Sequence, residues 1–328
     1  MNDRYEWVDQ ARGLGIFLVI YGHNYPFLES YIYSFHMPLF FFIAGMFHPK
    51  NITKYSIVKR AKSILIPYFI WSLLLYIFWL FLGRHFGNST NYNLDPLQGF
   101  IGVFYAQGDV QFMDWGIPMW FLPCIFLTFL LFSFVNKIRF DMLKGFVLII
   151  LVTLGLVYPV FFEFKLPWSI DVACVSLIFY SAGSFLKNRL IELRSAKKLF
   201  LLTVCCLLLS VSMSMVNSKI DMYRSQYGNI ALFILNGFMG TLFVLFLFKW
   251  VKFPKIVAFL GRNTIPLLAL QFRSLTIIKL ILIVIGINTF TFSEPIKLIL
   301  AFVQVLLIIP VIIFVNKYMP ILNGRNKK

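Results

Sequence analysis

Ten helix-length stretches of almost unbroken apolar character recur along this chain, at about 8–25, 31–47, 64–83, 117–136, 145–162, 169–186, 199–216, 229–248, 264–287 and 295–316. A helix that crosses a bilayer needs about 20 apolar residues, because the hydrocarbon layer is about 30 Å thick and each residue advances only 1.5 Å. No water-soluble core encloses ten such runs. Of 328 residues 60% are hydrophobic and 13% charged, and the mean hydropathy is +0.82. In hydrocarbon each backbone N–H and C=O must be paired within its own segment, which favours helices. The expectation is an all-α polytopic membrane protein, with about ten transmembrane helices in a single integral-membrane domain spanning 1–328 and the lipid bilayer as its surroundings.

The cations set an orientation. Lys and Arg gather in alternate connections: Arg4 and Arg12; Lys50, Lys54, Lys59, Arg60 and Lys62; Lys137, Arg139 and Lys144; Lys187, Arg189, Arg194, Lys197 and Lys198; Lys249, Lys252, Lys255 and Arg262; Lys317, Arg325, Lys327 and Lys328. They account for 23 of the 30, against five on the opposite side and two, Arg273 and Lys279, within the ninth run. Basic connections stay in the cytoplasm, so both termini are expected there. The formal charge of +17 is thereby read as topogenic, and no nucleic-acid partner is implied. Each of the four cysteines falls inside an apolar run without metal or disulfide spacing, so they read as small buried hydrophobes and no metal site is expected. No A-x-A-like cleavage site follows the first run, which is therefore expected to remain in the mature protein. P-loop, Ser-His-Asp and dinucleotide fingerprints are absent from the sequence.

The longest outward connection, about 84–116, holds a sequon at Asn88-Ser89-Thr90 and then an apolar, aromatic half that suits an interfacial or re-entrant segment. The first run, "DQARGLGIFLVIYGH", is the informative one. Each helical residue turns 100°, so the eleven steps from Arg12 to His23 complete three turns plus about 20° and put both on one face. Asp9, three residues before Arg12, joins that stripe and is placed to pair with it. Charges in a bilayer cost roughly 2.5–3.5 kcal/mol each on insertion scales, so they usually face a protein interior. The second run brings His36 and Pro38 to a depth similar to that of His23, which suggests a polar cavity; the alternative is a snorkelling pair at one interface and a histidine at the other.

The stretches "WVDQARGLGIFLVIYGH", "FHMPLFFFIAGMF", "ILIPYFIW", "MWFLPCIF" and "LGRNTIPLLAL" resemble, in order and spacing, the acyltransferase 3 family of integral-membrane O-acyltransferases. The fucose 4-O-acetylase-like and capsular polysaccharide O-acetyltransferase branch is the nearest in character. The Arg-x10-His arrangement, here Arg12 to His23, is the most specific element. Gln271 stands where related proteins often carry histidine. The resemblance implies transfer of an acyl group, commonly acetyl, from cytoplasmic acetyl-CoA to a hydroxyl of a free, polymeric or lipid-linked saccharide at the plasma or inner membrane. Composition rich in Phe, Ile, Lys and Asn points to an AT-rich bacterial genome.

Such chemistry needs a base, a means of stabilising an oxyanion and an anchor for the donor's phosphates. His23 is the expected base; His36 would orient it, share its proton or contact the acceptor, unless it is a structural histidine bonded to a neighbouring carbonyl; and Asp9 with Arg12 completes the catalytic set. Arg12, Lys59, Arg60 and Lys62 are the candidate CoA anchors, although a topogenic loop has the same composition. Trp120, Asp171, Asn263 and Arg273 are the candidate acceptor-binding residues. Asp171 would bond saccharide hydroxyls, and Trp120 would stack on a sugar ring unless it belongs to an aromatic belt. Two other readings stay open: a saccharide or small-solute transporter without acyl chemistry, and an acyl carrier serving a separate enzyme. A homo-oligomer is compatible with all three.

Overall fold

The computed structural model describes residues 5–85, 87–287 and 290–325. Arg4, Lys327 and Lys328 of the charge tally lie outside the described residues, as does the side chain of the sequon's Asn88. The helices are α1 (Glu6–Gly22), α2 (Glu29–Met46), α3 (Lys54–Phe81), α4 (Pro96–Tyr105), α5 (Val110–Met113), α6 (Phe121–Val135), α7 (Asp141–Phe161), α8 (Ile170–Glu192), α9 (Ala196–Val216), α10 (Ile230–Trp250), α11 (Lys255–Arg262), α12 (Thr264–Val284) and α13 (Glu294–Tyr318). Among the described residues there is no strand, only an isolated antiparallel bridge between Asp221 and Gln226. The all-α membrane architecture expected from the sequence is the one observed.

Each of the ten apolar runs becomes a helix, and among the described residues eight, α6 counted with the 3-10 turn Ile117–Trp120 that leads into it, are long and apolar enough to cross a membrane. The other two are α1 and α2. At 17 residues α1 is short, and α2 is diluted by Glu29, two tyrosines, two serines, His36 and Pro38. They are the helices that carry Asp9, Arg12 and His36, and His23 follows directly on α1. Helix α3 begins ten residues before the expected start of 64, because Thr53 and Ser56 form a reciprocal capping box that satisfies the first free N–H groups. Lys59, Arg60 and Lys62 therefore sit on a helix, where the sequence reading had put a connection.

Three shorter helices, α4, α5 and α11, were not anticipated as helices. Asp95 caps α4 by accepting from Leu97 N at 2.9 Å, and Pro96 starts its first turn. Leu97, Phe100, Ile101 and Phe104 recur at helical spacing and are all exposed, an apolar stripe of the kind that lies on a membrane surface and fits the interfacial expectation.

The chain divides into two compact units. The first comprises residues up to Ile43, Phe185–Asp221 and Gln226–Tyr318; the second comprises Ala44–Ser184, Met222–Ser225 and the stretch from Met319. In the first, α1 packs on α10, α11, α12 and α13. Ten of its residues are buried, including Asp9 and Gln10, so the helix is enclosed nearly all round. Its contact with α11 is backbone to backbone. A Cβ on Gly261 would lie 1.7 Å from the Asp9 carbonyl oxygen, and one on Gly13 would lie 1.9 Å from that of Val257. In the second unit, α3 packs on α4 and α6, and α6 on α7. Trp71 Nε1 donates to the Leu322 carbonyl at 2.9 Å, fastening the C-terminal turn to α3.

Candidate active site

Within the first unit, α1 ends at Gly22 rather than at 25, and His23 follows as the capping residue, its N–H bonded to the Val19 carbonyl at 3.2 Å. Tyr25, in a left-handed conformation at φ 53°, and then Pro26 stop the helix. His23 therefore sits at the mouth of α1, about 16 Å from Arg12 along the axis at 1.5 Å per residue.

Three aromatic groups meet there. The His23 ring lies edge-on to Phe272 of α12 at 4.9 Å. Its Nδ1 is 3.4 Å from the Tyr33 hydroxyl of α2, a long hydrogen bond. Tyr33 and His36 are three apart on one face of α2, and their rings lie 5.1 Å from each other. His36 Nδ1 donates to the Ile32 carbonyl at 2.8 Å, which leaves Nε2 as an acceptor in the neutral ring. Pro38, four residues after Ser34, withholds the N–H that would bond the Ser34 carbonyl.

A chain of amides frames His23. Asn24 Nδ2 donates to Gln304 Oε1 at 2.9 Å and to the Lys297 carbonyl at 3.2 Å. Gln304 Nε2 donates to the Gln271 carbonyl at 2.9 Å, immediately before Phe272. This links the end of α1 through α13 to α12. Gln271 is 1% exposed; its Nε2 bonds the Leu268 carbonyl, and its Oε1 has no partner among the described residues.

At the opposite end of α1, Asp9 is buried and accepts from Arg262 Nε of α11 at 2.9 Å. Gln10 Nε2 donates to the Phe253 carbonyl at 3.0 Å, and Arg12 is half-buried. Asn263 occupies the α11–α12 corner, donating to the Phe259 carbonyl at 2.6 Å and accepting from Asn316 at 2.8 Å. Arg273 is half-buried on α12 beside Phe272.

The remaining candidates belong to the second unit. Lys59 and Lys62 share an exposed face of α3, while Arg60 turns inward, its guanidinium 5.9 Å from the Phe129 ring and its Nε buried without a partner among the described residues. His48 stands edge-on to Phe132 at 4.8 Å and its Nδ1 lies 3.0 Å from the Tyr180 hydroxyl. Trp120 is buried at the entrance to α6, and Asp171, buried in the first turn of α8, accepts from Ser225 Oγ at 2.6 Å.

The structure thus joins His23 to His36 through Tyr33, and holds Asp9 with Arg262. Sequence reasoning did not single out Tyr33, Phe272, Asn24, Gln304 or the Asp9 partnership of Arg262. Tyr33 had a signal in its spacing from His36, and Gln304 in being a lone amide inside "AFVQVLLIIP". Arg262 had none, because 253 residues separate it from Asp9.

Eight apolar helices long enough to cross a membrane, among the described residues, define an integral-membrane protein, and His23 and His36 both lie beside Tyr33 within it. The acyltransferase domain of the acyltransferase 3 type matches residues 5–315, and the chain belongs to that family. No curated protein and no solved structure matches it.

Proposed function

We propose that this membrane acyltransferase moves an acetyl group from cytoplasmic acetyl-CoA to a hydroxyl of a saccharide at the other face of the cell membrane, with His23 as general base. The observation that carries the reading is the placement of His23 against Tyr33 and Phe272 at the end of an otherwise buried helix. If Nδ1 holds the ring proton and donates to Tyr33, the Nε2 lone pair is the base. It takes the acceptor's O–H proton as that oxygen bonds to the thioester carbonyl carbon. The resulting tetrahedral oxyanion collapses, the C–S bond breaks, and the imidazolium returns the proton to the CoA thiolate. His36, with its proton fixed on Nδ1 by the Ile32 carbonyl, offers Nε2 to a neighbouring acceptor hydroxyl.

Arg12 and Asp9 serve the cytoplasmic end of α1, and Lys59, Arg60 and Lys62 supply cations for the donor's phosphates. Asn263 and Arg273 are assigned to the same unit as the base, and Trp120 and Asp171 to acceptor binding. The capsule-acetylating branch supplies the substrate class.

Protein reconstituted in vesicles and given acetyl-labelled CoA outside, with a cell-envelope saccharide fraction inside, tests this directly. Label on saccharide supports the reading. Saccharide movement without label on any product would contradict it in favour of transport.

A further inference from the structure

We propose that three segments of the second unit, 106–109, 165–171 and 222–225, close around Trp120 to form a saccharide-binding site. Among the described non-glycine residues, five have positive φ, and four of them fall in these segments: Ala106 (52°), Trp168 (56°), Ser169 (50°) and Ser225 (56°). Backbone in that region persists only where its surroundings over-determine it, and it gathers at ligand clamps.

Hydrogen bonds of ordinary length knit the clamp. Tyr105 donates to the Lys165 carbonyl at 2.7 Å, Trp168 Nε1 to the Phe104 carbonyl at 2.7 Å, and Ser225 to Asp171 at 2.6 Å. Gly108, at φ 80°, lies close against both rings: a Cβ would be 3.1 Å from Tyr223 and 3.3 Å from Trp120, so a side chain there would push them back by a few tenths of an ångström. A glycine there lets the 106–109 turn press against both rings.

The chemistry these segments collect is that of a polyhydroxylated ligand. Trp120 and Tyr223 lie 6.4 Å apart at 37°, and Tyr223 is half-exposed, offering ring surface to the C–H face of a sugar. Lys165 Nζ is 5.1 Å from the Tyr223 ring and 3.8 Å from Asp109, longer than a hydrogen bond. Lys165 and Arg224 balance Asp109 and Asp171, so the site offers donors and acceptors without net charge, which suits a neutral saccharide better than a phosphate or a metal ion. Two polar side chains in these segments, Gln107 and Ser169, await a partner. Gln107 is 5% exposed and Ser169 3%, yet Gln107 Oε1 and Ser169 Oγ make no hydrogen bond among the described residues. A sugar hydroxyl donates to the first and accepts from or donates to the second. Naming the ligand as the acyl acceptor rests on the proposed function; the saccharide chemistry of the site does not.

The test uses full-length protein in lipid nanodiscs free of sugar detergents, with saturation-transfer NMR against methyl glycosides of glucose, galactose, mannose, fucose and N-acetylglucosamine, and mannitol as an open-chain control. At least one glycoside should bind saturably and resist competition by mannitol. Gln107→Leu, which removes an unpartnered buried oxygen, should melt no lower than wild type yet weaken glycoside binding tenfold or more, and Tyr223→Leu should do so too. A purely structural Gln107 would not separate stability from affinity in this way. Failure of every glycoside to bind, or unchanged affinity in the folded Gln107→Leu protein, overturns the proposal. Glycoside binding without acetyl transfer from acetyl-CoA would instead contradict the acyltransferase reading and leave this site standing.

Discussion

Gly261→Ala should uncouple α1 from α11. The new methyl would sit 1.7 Å from the Asp9 carbonyl oxygen and 2.8 Å from the Gly13 amide nitrogen, and real Cβ contacts essentially never fall under 3.0 Å. The helices must separate by the difference, about 1.3 Å. Both obstacles are backbone, so no side chain can rotate away to absorb the strain. Overpacking typically costs 1–3 kcal/mol, and here the cost should be about 3 kcal/mol or more. Arg262, the next residue, should be drawn away from Asp9 in the same movement. Displacing a catalytic group by about 1 Å costs roughly 10²-fold in rate, so transfer should fall by that order through His23 at the far end of α1. Gly145→Ala is the control, because nothing lies within 4 Å of its added methyl. Replacing a glycine in a helix interior there should stabilise by about 0.5–1 kcal/mol. Thermal unfolding of both variants in nanodiscs, with transfer measured on the same preparations, reads the effect. If Gly261→Ala melts with wild type and keeps full activity, the close α1–α11 contact does not hold the site.

Tyr33→Phe removes the hydroxyl beside His23 and should lower kcat about tenfold, the worth of one neutral hydrogen bond, with CoA affinity unchanged; an unchanged kcat would detach Tyr33 from the base. Arg12→Ala should weaken CoA binding measured by titration, and Arg12→Lys should restore it only in part, since lysine lacks the planar fork that pairs two oxygens; equal affinity in all three would remove Arg12 from donor binding. For orientation, cysteines placed at the exposed positions Asn93 and Ser195 in a Cys205→Ser background should differ: an impermeant thiol reagent should label the first and not the second in intact cells. Labelling at 195 would reverse the topology.

The apolar runs foretold the long helices because hydrocarbon length is a strong constraint that acts on each segment alone. Boundaries were harder. The start of α3 rests on the Thr53–Ser56 box rather than on apolarity, and its first turns are basic, so composition marks them as a connection. The short helix α11 was hidden because eight residues carry too few apolar positions to register as a span. At the site, the nearness of His23 and His36, both beside Tyr33, could be read from their places in adjacent runs, and the spacing of Tyr33 from His36 within α2 was available too. What escaped is the long-range part: Gln304 bonding Asn24 across 280 residues, Arg262 reaching Asp9, and Met222–Ser225 joining Trp120 and Asp171 in the second unit. Each depends on which helices become neighbours, and an apolar run does not encode its neighbours.

The central claim is that His23 takes the acceptor's proton, and the most direct measurement is transfer of labelled acetyl from acetyl-CoA by purified His23→Ala beside wild type, with CoA affinity and melting recorded on the same samples. General-base catalysis typically contributes 10²–10⁴-fold. The variant should melt and bind CoA as wild type does while transfer falls by at least 10²-fold. A folded His23→Ala protein that binds CoA and transfers acetyl at near wild-type rate would contradict the account and leave His23 a structural cap at the end of α1.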